Sequence, residues 1–357
     1  MRLIILFVLP LFMGVALGVP MALKRCTKTN TAVRKEWGSL KKSQRRDYIA
    51  AVQCMLDKDP VLPTASYPGV VNRMGDFVAY GLPLHPCEYG IQSAYNRHRG
   101  RTHINMTLSM HVSGIFLAWH RHYIWLWEEA LRNECGYKGY LPYWDWPLWA
   151  GNLSDSPIFD GSDTSLSGDG AYDPNITAVY IGKEELPPGT GGGCVLSGPF
   201  KDMQLTLGPL DFSMAFAPSL PENAFASNPR CFTRSLNDWI ATRYTNQTAV
   251  DQLLATTNII DFQQVMTMNP PSDFFASPAD PAFMLFHGQV DRLWAIWQAE
   301  DEATRRYAVN GSSTIWYGQQ TPDVTMDTYV EFGVLGAARQ MVKMMDPTRN
   351  GYCYRYE

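Results

Sequence analysis

Seven histidines occur in the 357 residues, and four of them fall in one stretch, at His103, His111, His120 and His122. A neutral imidazole is the commonest metal-binding side chain, so this clustering points to a metal site. On a continuous helix, at about 100° per residue, the eight-residue step from His103 to His111 leaves the two roughly 80° apart, close enough to share a face. The nine-residue step from His111 to His120 places that pair on opposite faces. They converge only if the backbone breaks between them, and Ser113-Gly114 is the candidate break. Three imidazoles leave a coordination position open, which is the arrangement of a catalytic zinc site and one that copper also accepts. Packed or surface histidines are the alternative, which the neighbouring Trp119, Arg121 and Tyr123 disfavour. His122 adjoins His120 and points elsewhere, as a supporting or surface residue, and His85 and His98 have no partner pattern.

Helical elements must carry these residues. The run HRHYIWLWEEALRNECG after Trp119 has a long apolar face and ends at Gly136, a good C-terminal stop. SLKKSQRRDYIAAVQCML reads as an amphipathic helix with Tyr48, Ala51, Val52 and Met55 on one face, stopped by Pro60, Pro63 and Pro68. Residues 19–46 read as a basic surface lead-in, and 70–102 as helix and loop. Residues 147–235 read as loop-rich, with PPGTGGGC (187–194) as a flexible insertion; lacking a following Lys-Ser or Lys-Thr, it is no phosphate loop. Helical patterning returns near 235–255 and at 281–300, and neither a repeat nor an interdomain linker is visible.

Composition narrows the function classes. A net charge near −4 gives no reason to expect nucleic-acid binding or attraction to anionic membranes. The N-terminal MRLIILFVLPLFMGVALGVP pairs Arg2 with an apolar run, broken by Pro10, that is short for a membrane span. Ala16 and Gly18 fit a cleavage site before Val19. The expectation is a signal peptide over 1–18, one domain over 19–357, no integral span, and a secreted or lumenal location. Five Asn-x-Ser/Thr sites, at Asn105, Asn152, Asn175, Asn246 and Asn310, agree with the secretory pathway, with Asn105 expected to be buried and unmodified. Seven cysteines without a CxxC pair favour disulfides over a thiolate metal site, and the odd count leaves a thiol over. Their pairing is not legible.

HVSGIFLAWHRHYIWLWEEAL resembles the first copper-binding segment of the tyrosinase, catechol oxidase and hemocyanin superfamily. PYWDW (142–146), GPFKDMQLTLGP (198–209) and NPRCFTRSLNDW (228–239) resemble further segments of its short secreted fungal members. SPADPAFMLFHGQVDRLWAIWQ (277–298) resembles the second copper segment. The resemblance implies a mainly α fold, a four-helix bundle around the metal with long loops, and His103, His111 and His120 as ligands of the first metal. It also implies three histidines for a second metal, of which only His287 is present. Counting back 24 and 28 residues from His287 reaches Gln263 and Ile259, and no histidine lies between His122 and His287. Phe286 stands where a histidine usually precedes the last ligand. A glutamine oxygen is a poor ligand for Cu(I), and isoleucine is none.

Oxygen bridging two coppers needs both ions, so these losses argue against ordinary phenol oxidation. The expectation is one ion, zinc most simply or copper, acting as a Lewis acid on a small aromatic substrate. His287 is then a general acid or base, or a residual structural histidine. Gln263 offers a hydrogen bond to substrate, or fills vacated space. Phe274 stands where relatives place an aromatic gate, though core packing is the commoner use of phenylalanine. Asp291, one turn beyond His287, is placed to orient its ring; Arg121, Glu128, Arg292, Trp144, Asp145 and Trp146 read as scaffold. Within the superfamily the altered site is similar to that of hemocyanin-like cyclopenases, which convert a cyclopenin-type benzodiazepine epoxide to a viridicatin-type quinolone. A copper-dependent phenol or catechol oxidase and a non-catalytic binding relative are the alternatives.

Overall fold

The computed structural model describes residues 26–27, 29–79, 110–181, 184–210, 223–267, 276–313 and 322–357. Helix α1 (Lys42–Asp57) buries Tyr48, Ala51, Val52 and Met55, the face that the spacing predicts. Its first turn is tied by the Lys41 backbone N–H, which donates to the Gln44 side chain at 3.0 Å. A short α2 (Arg73–Ala79) precedes the long α3 (Phe116–Glu134), which ends before Gly136 at φ 69°, a backbone state that suits glycine. Then follow α4 (Asp238–Tyr244), α5 (Gln247–Leu254), α6 (Ile259–Thr267), the long α7 (Ala282–Glu300) and α8 (Glu302–Arg305). Asn237 and Asn246 cap α4 and α5, each accepting a backbone N–H three residues on. The fold is mainly α. Among the described residues the strands pair only two by two, so no layered sheet competes with the helices for the core.

The centre of the molecule is the crossing of α3 and α7. Arg121 on α3 donates to Asp291 on α7 at 2.5 Å, to Gln298 at 3.2 Å and to the Met345 carbonyl at 2.6 Å, with its guanidinium 3.8 Å over the Trp294 ring. The chain ends join the same cluster. Strand β1 (Ala32–Arg34) pairs in parallel with the C-terminal strand Tyr354–Tyr356, and Arg34 lies 3.0 Å from Glu128 and 3.5 Å from Asp291. The hydroxyls of Tyr354 and Tyr356 donate to Asp291 at 2.7 and 2.5 Å. Burial alone would push the Asp291 carboxyl up, but Arg121, Arg34 and the two phenols hold it below the ordinary aspartate range.

Three sequence expectations need correction here. The stretch 19–46 is not merely a surface lead-in, because Arg34 and Trp37 are fully buried. Asp291 does not stand over His287 as its orienting partner; both its oxygens serve the arginine–tyrosine cluster. PPGTGGGC is not a loose insertion. Thr190 N–H donates to the Leu236 carbonyl, Gly192–Val195 pairs with Gly170–Tyr172, and Cys194 is bonded to Cys231. Two further disulfides, Cys26–Cys353 and Cys54–Cys135, tie the chain ends together and α1 to the end of α3. Cys87 lies outside the described residues.

Candidate metal centre

The predicted break after His111 is present, one residue earlier than expected. Val112 adopts φ 44°, a left-handed state that a β-branched residue seldom takes, and α3 starts afresh at Phe116. Without this turn, His111 and His120 would face away from each other. With it, their ring centroids are 5.5 Å apart. Gly114 serves close approach, its N–H donating to the Ser312 carbonyl at 2.9 Å.

From the opposing helix His287 meets the same place. Its ring stacks on His120 with centroids 4.1 Å apart and planes within 7° of parallel. The three histidines are 8%, 1% and 4% exposed for His111, His120 and His287, so the structure gathers buried imidazoles from a turn and two helices. His120 Nδ1 lies 2.8 Å from the Phe116 carbonyl. A carbonyl can only accept, so Nδ1 carries the proton and Nε2 holds the lone pair, the tautomer a metal-ligating histidine uses.

Two phenylalanines that the spacing argument passed over frame the group. Phe116 packs on His120 at 4.6 Å and reaches His111 at 6.1 Å and His287 at 6.3 Å. Phe283 packs on His287 at 4.3 Å. Each stands four residues before the histidine it touches, so the one-turn helical interval was the available signal.

The PYWDW segment fixes how α7 presents His287. Trp144 N–H donates to the Leu285 carbonyl at 3.1 Å, Trp146 stacks on Phe286 at 4.8 Å, and the Gln289 amide donates to Asp145 at 2.8 Å. A side chain at Gly288 would meet the Pro142 carbonyl at 3.0 Å, so the segment lies directly against the helix. Its expected scaffold role agrees with these contacts.

The other candidates are placed as follows. Gln263 and Ile259 are both buried, one turn apart on α6, and Phe262 beside Gln263 packs 4.8 Å from Trp297 of α7. His122 is buried rather than superficial, 2.7 Å from the Tyr352 hydroxyl and stacked on Trp125. Burial, and secondarily the charge of Arg339, pushes its pKa down to about 3, so it is neutral. His103, Phe274, His85, His98 and Asn105 lie outside the described residues.

The donors fit an imidazole-bound ion: two converging rings, one with its proton committed to a backbone carbonyl, in apolar surroundings. A family profile described as the common central domain of tyrosinase matches residues 90–300. The chain belongs to the tyrosinase family. Tyrosinase P of Aspergillus terreus is 47% identical over 348 residues, covering 91% of each chain. N-acetyl-6-hydroxytryptophan oxidase ivoB of Emericella nidulans is 39% identical, covering 94% of each. Among solved structures, a polyphenol oxidase mutant from Thermothelomyces thermophila superposes with a TM-score of 0.80 at 34% identity, covering 93% of this chain and 90% of that one. Members of this tyrosinase family are enzymes, mostly oxidases, that bind metal, usually copper, and act on small aromatic substrates. No helix among the described residues is long and apolar enough to cross a membrane.

Proposed function

We propose that this chain is a tyrosinase-family metalloenzyme with a single ion, held by His103, His111 and His120, that performs non-redox chemistry on a small aromatic molecule of fungal secondary metabolism. The observation that carries the reading is the chemistry of the second half-site. No histidine lies between His122 and His287, and the residues 28 and 24 positions before His287, where the resemblance implies a histidine pair, are Ile259 and Gln263, both buried. An ion bound by the remaining three histidines supplies Lewis acidity toward a carbonyl or epoxide oxygen of the substrate.

The stacking of His287 on His120 supports a separate task for His287. An imidazole would hold an ion through its in-plane nitrogen lone pair. With the two rings stacked 4.1 Å apart and within 7° of parallel, their lone pairs would not converge on one point, so His120 and His287 would not be expected to hold one ion together. In this reading His287 takes or delivers the substrate proton as the epoxide opens. Gln263 supplies a hydrogen bond to the substrate, and Phe274 an aromatic wall. The substrate class that suits Lewis-acid ring opening with proton transfer is a cyclopenin-type benzodiazepine epoxide, rearranged and fragmented to a viridicatin-type quinolone. This makes the enzyme a lyase or isomerase with one zinc per chain.

A second reading is a copper-dependent phenol or catechol oxidase. It is favoured by the relatives named tyrosinase and oxidase at 39–47% identity across nine-tenths of the chain. A non-catalytic binding relative is the weakest reading, since nothing selects three clustered histidines in a silent protein. The three disulfides and the exposed sequon residues Asn152 and Asn175 support passage through the secretory pathway, with removal of residues 1–18 and a single domain over 19–357.

Metal analysis with activity assays separates the readings. One zinc per chain, turnover of a cyclopenin-type epoxide and no oxygen uptake with catechol are the expected results. Two coppers per chain with a peroxide absorption band would sink the single-ion reading.

A further inference from the structure

We propose that the segment Asn310–Ser312 is a positioning element for the metal centre, acting on His111 through Gly114. The inference rests on the reading of His111 as a ligand. The turn that aims His111 at His120 contains Val112 in a left-handed backbone state, at φ 44°. For a β-branched residue that state is strained and persists only where the surroundings over-determine it. The turn itself makes no regular helix, so the restraint comes from elsewhere in the chain.

Gly114 is where the restraint is applied. Its N–H donates to the Ser312 carbonyl at 2.9 Å. A Cβ at this position would sit 2.6 Å from the Gly311 carbonyl oxygen and 2.9 Å from that of Asn310. These are backbone atoms, with no flexible side chain to swing aside. The 310–312 segment is itself fixed from behind: Val324 N–H donates to the Gly311 carbonyl at 2.8 Å, Ser312 bridges to Asp323, and Ser312 and Val324 are buried. The order of contacts is therefore Val324, Gly311, Gly114, Val112 and His111. A segment about 200 residues away in sequence holds the strained turn in the one geometry that lets two imidazoles converge. Gly114, Val112 and Gly311 are positioning residues; none of them offers a donor to the ion.

The test is zinc titration of the full chain against a chromophoric chelator, with thermal unfolding recorded in parallel. Gly114→Ala is expected to weaken zinc binding at least tenfold, because the turn must move away from 310–312 and carries His111 with it. Val112→Gly, which removes the left-handed strain while leaving the dock intact, is expected to keep or tighten zinc binding. Generalised loosening of the protein would weaken both variants alike. Wild-type affinity in Gly114→Ala, with zinc lost in His111→Ala, overturns the positioning role and leaves the ligand reading standing. Undiminished zinc in His111→Ala overturns the ligand reading, and this inference with it. If Gly114→Ala fails to fold, Val324→Pro removes the bond behind Gly311 without touching the turn. It too must lower zinc affinity, and an unchanged value overturns the proposal.

Discussion

His120 and His287, 167 positions apart in the sequence, lie ring on ring at 4.1 Å with their planes 7° from parallel. The pair joins the two long helices of the fold, His120 coming from α3 and His287 from α7. The single-ion proposal assigns the two rings different tasks, and the expected behaviour of the variants follows from that division.

On the single-ion reading, removing a ligand and removing His287 have different signatures. His120→Ala and His111→Ala are each expected to abolish retention of the ion and, with it, turnover. Full activity in a variant that holds no metal would refute the Lewis-acid role.

His287→Ala is expected to keep wild-type metal content while turnover falls by about 10²–10⁴-fold, the usual contribution of a positioned acid or base. An unchanged rate would reduce His287 to scaffold. Loss of the ion would make it a ligand and contradict the argument from parallel planes.

Asp291 governs acid stability. Its folded carboxyl is held below the unfolded value by Arg121, Arg34 and the phenols of Tyr356 and Tyr354, against the opposing effect of burial. The stability it contributes is therefore present above the ordinary aspartate range and lost as pH falls through the lower folded value. Asp291→Asn leaves two buried guanidinium groups without their shared carboxylate and is expected to cost about 3–5 kcal/mol at neutral pH. Denaturant unfolding from neutral to acid pH checks both points. The variant should lie well below wild type at neutrality and converge on it in acid; parallel curves would show that Asp291 is not the titrating group.

The Cys54–Cys135 bond joins α1 to the end of α3 across 81 residues. Replacing both cysteines by serine is expected to lower stability by about 2–5 kcal/mol. Because the bond lies at the far end of α3 from His120, zinc affinity should hold. A matching loss of zinc affinity would show that α3 does not transmit order independently of its end.

Gln263→Leu is expected to raise KM several-fold with metal content unchanged, since it removes an amide from a buried position without touching the histidines. Unaltered kinetics would assign Gln263 to filling space.

The sequence by itself determined a good deal of this. The 3.6-residue period of α1, the stop at Gly136, the need for a break between His111 and His120, and the isolation of His287 are local or arithmetic properties, readable before any fold is known. The candidate ligands His103, His111 and His120 are legible as candidates for the same reason, because chemistry that needs clustered imidazoles leaves them clustered in the chain. Tertiary structure decided the rest. That Arg34 is buried rather than solvated follows from an ion cluster whose members come from five segments of the chain, and no window around residue 34 contains Asp291 or Tyr354. The glycine-rich 187–194 stretch looked loose because glycine hides its close contacts from sequence; only the backbones packed against it make the small residues necessary. The stacking of His287 on His120 depends on how α3 and α7 pack together. The two helices are held together by PYWDW against one side of α7 and by the Arg121–Asp291 pair. Side-chain types announce what chemistry is available, and long-range packing fixes which of those side chains meet.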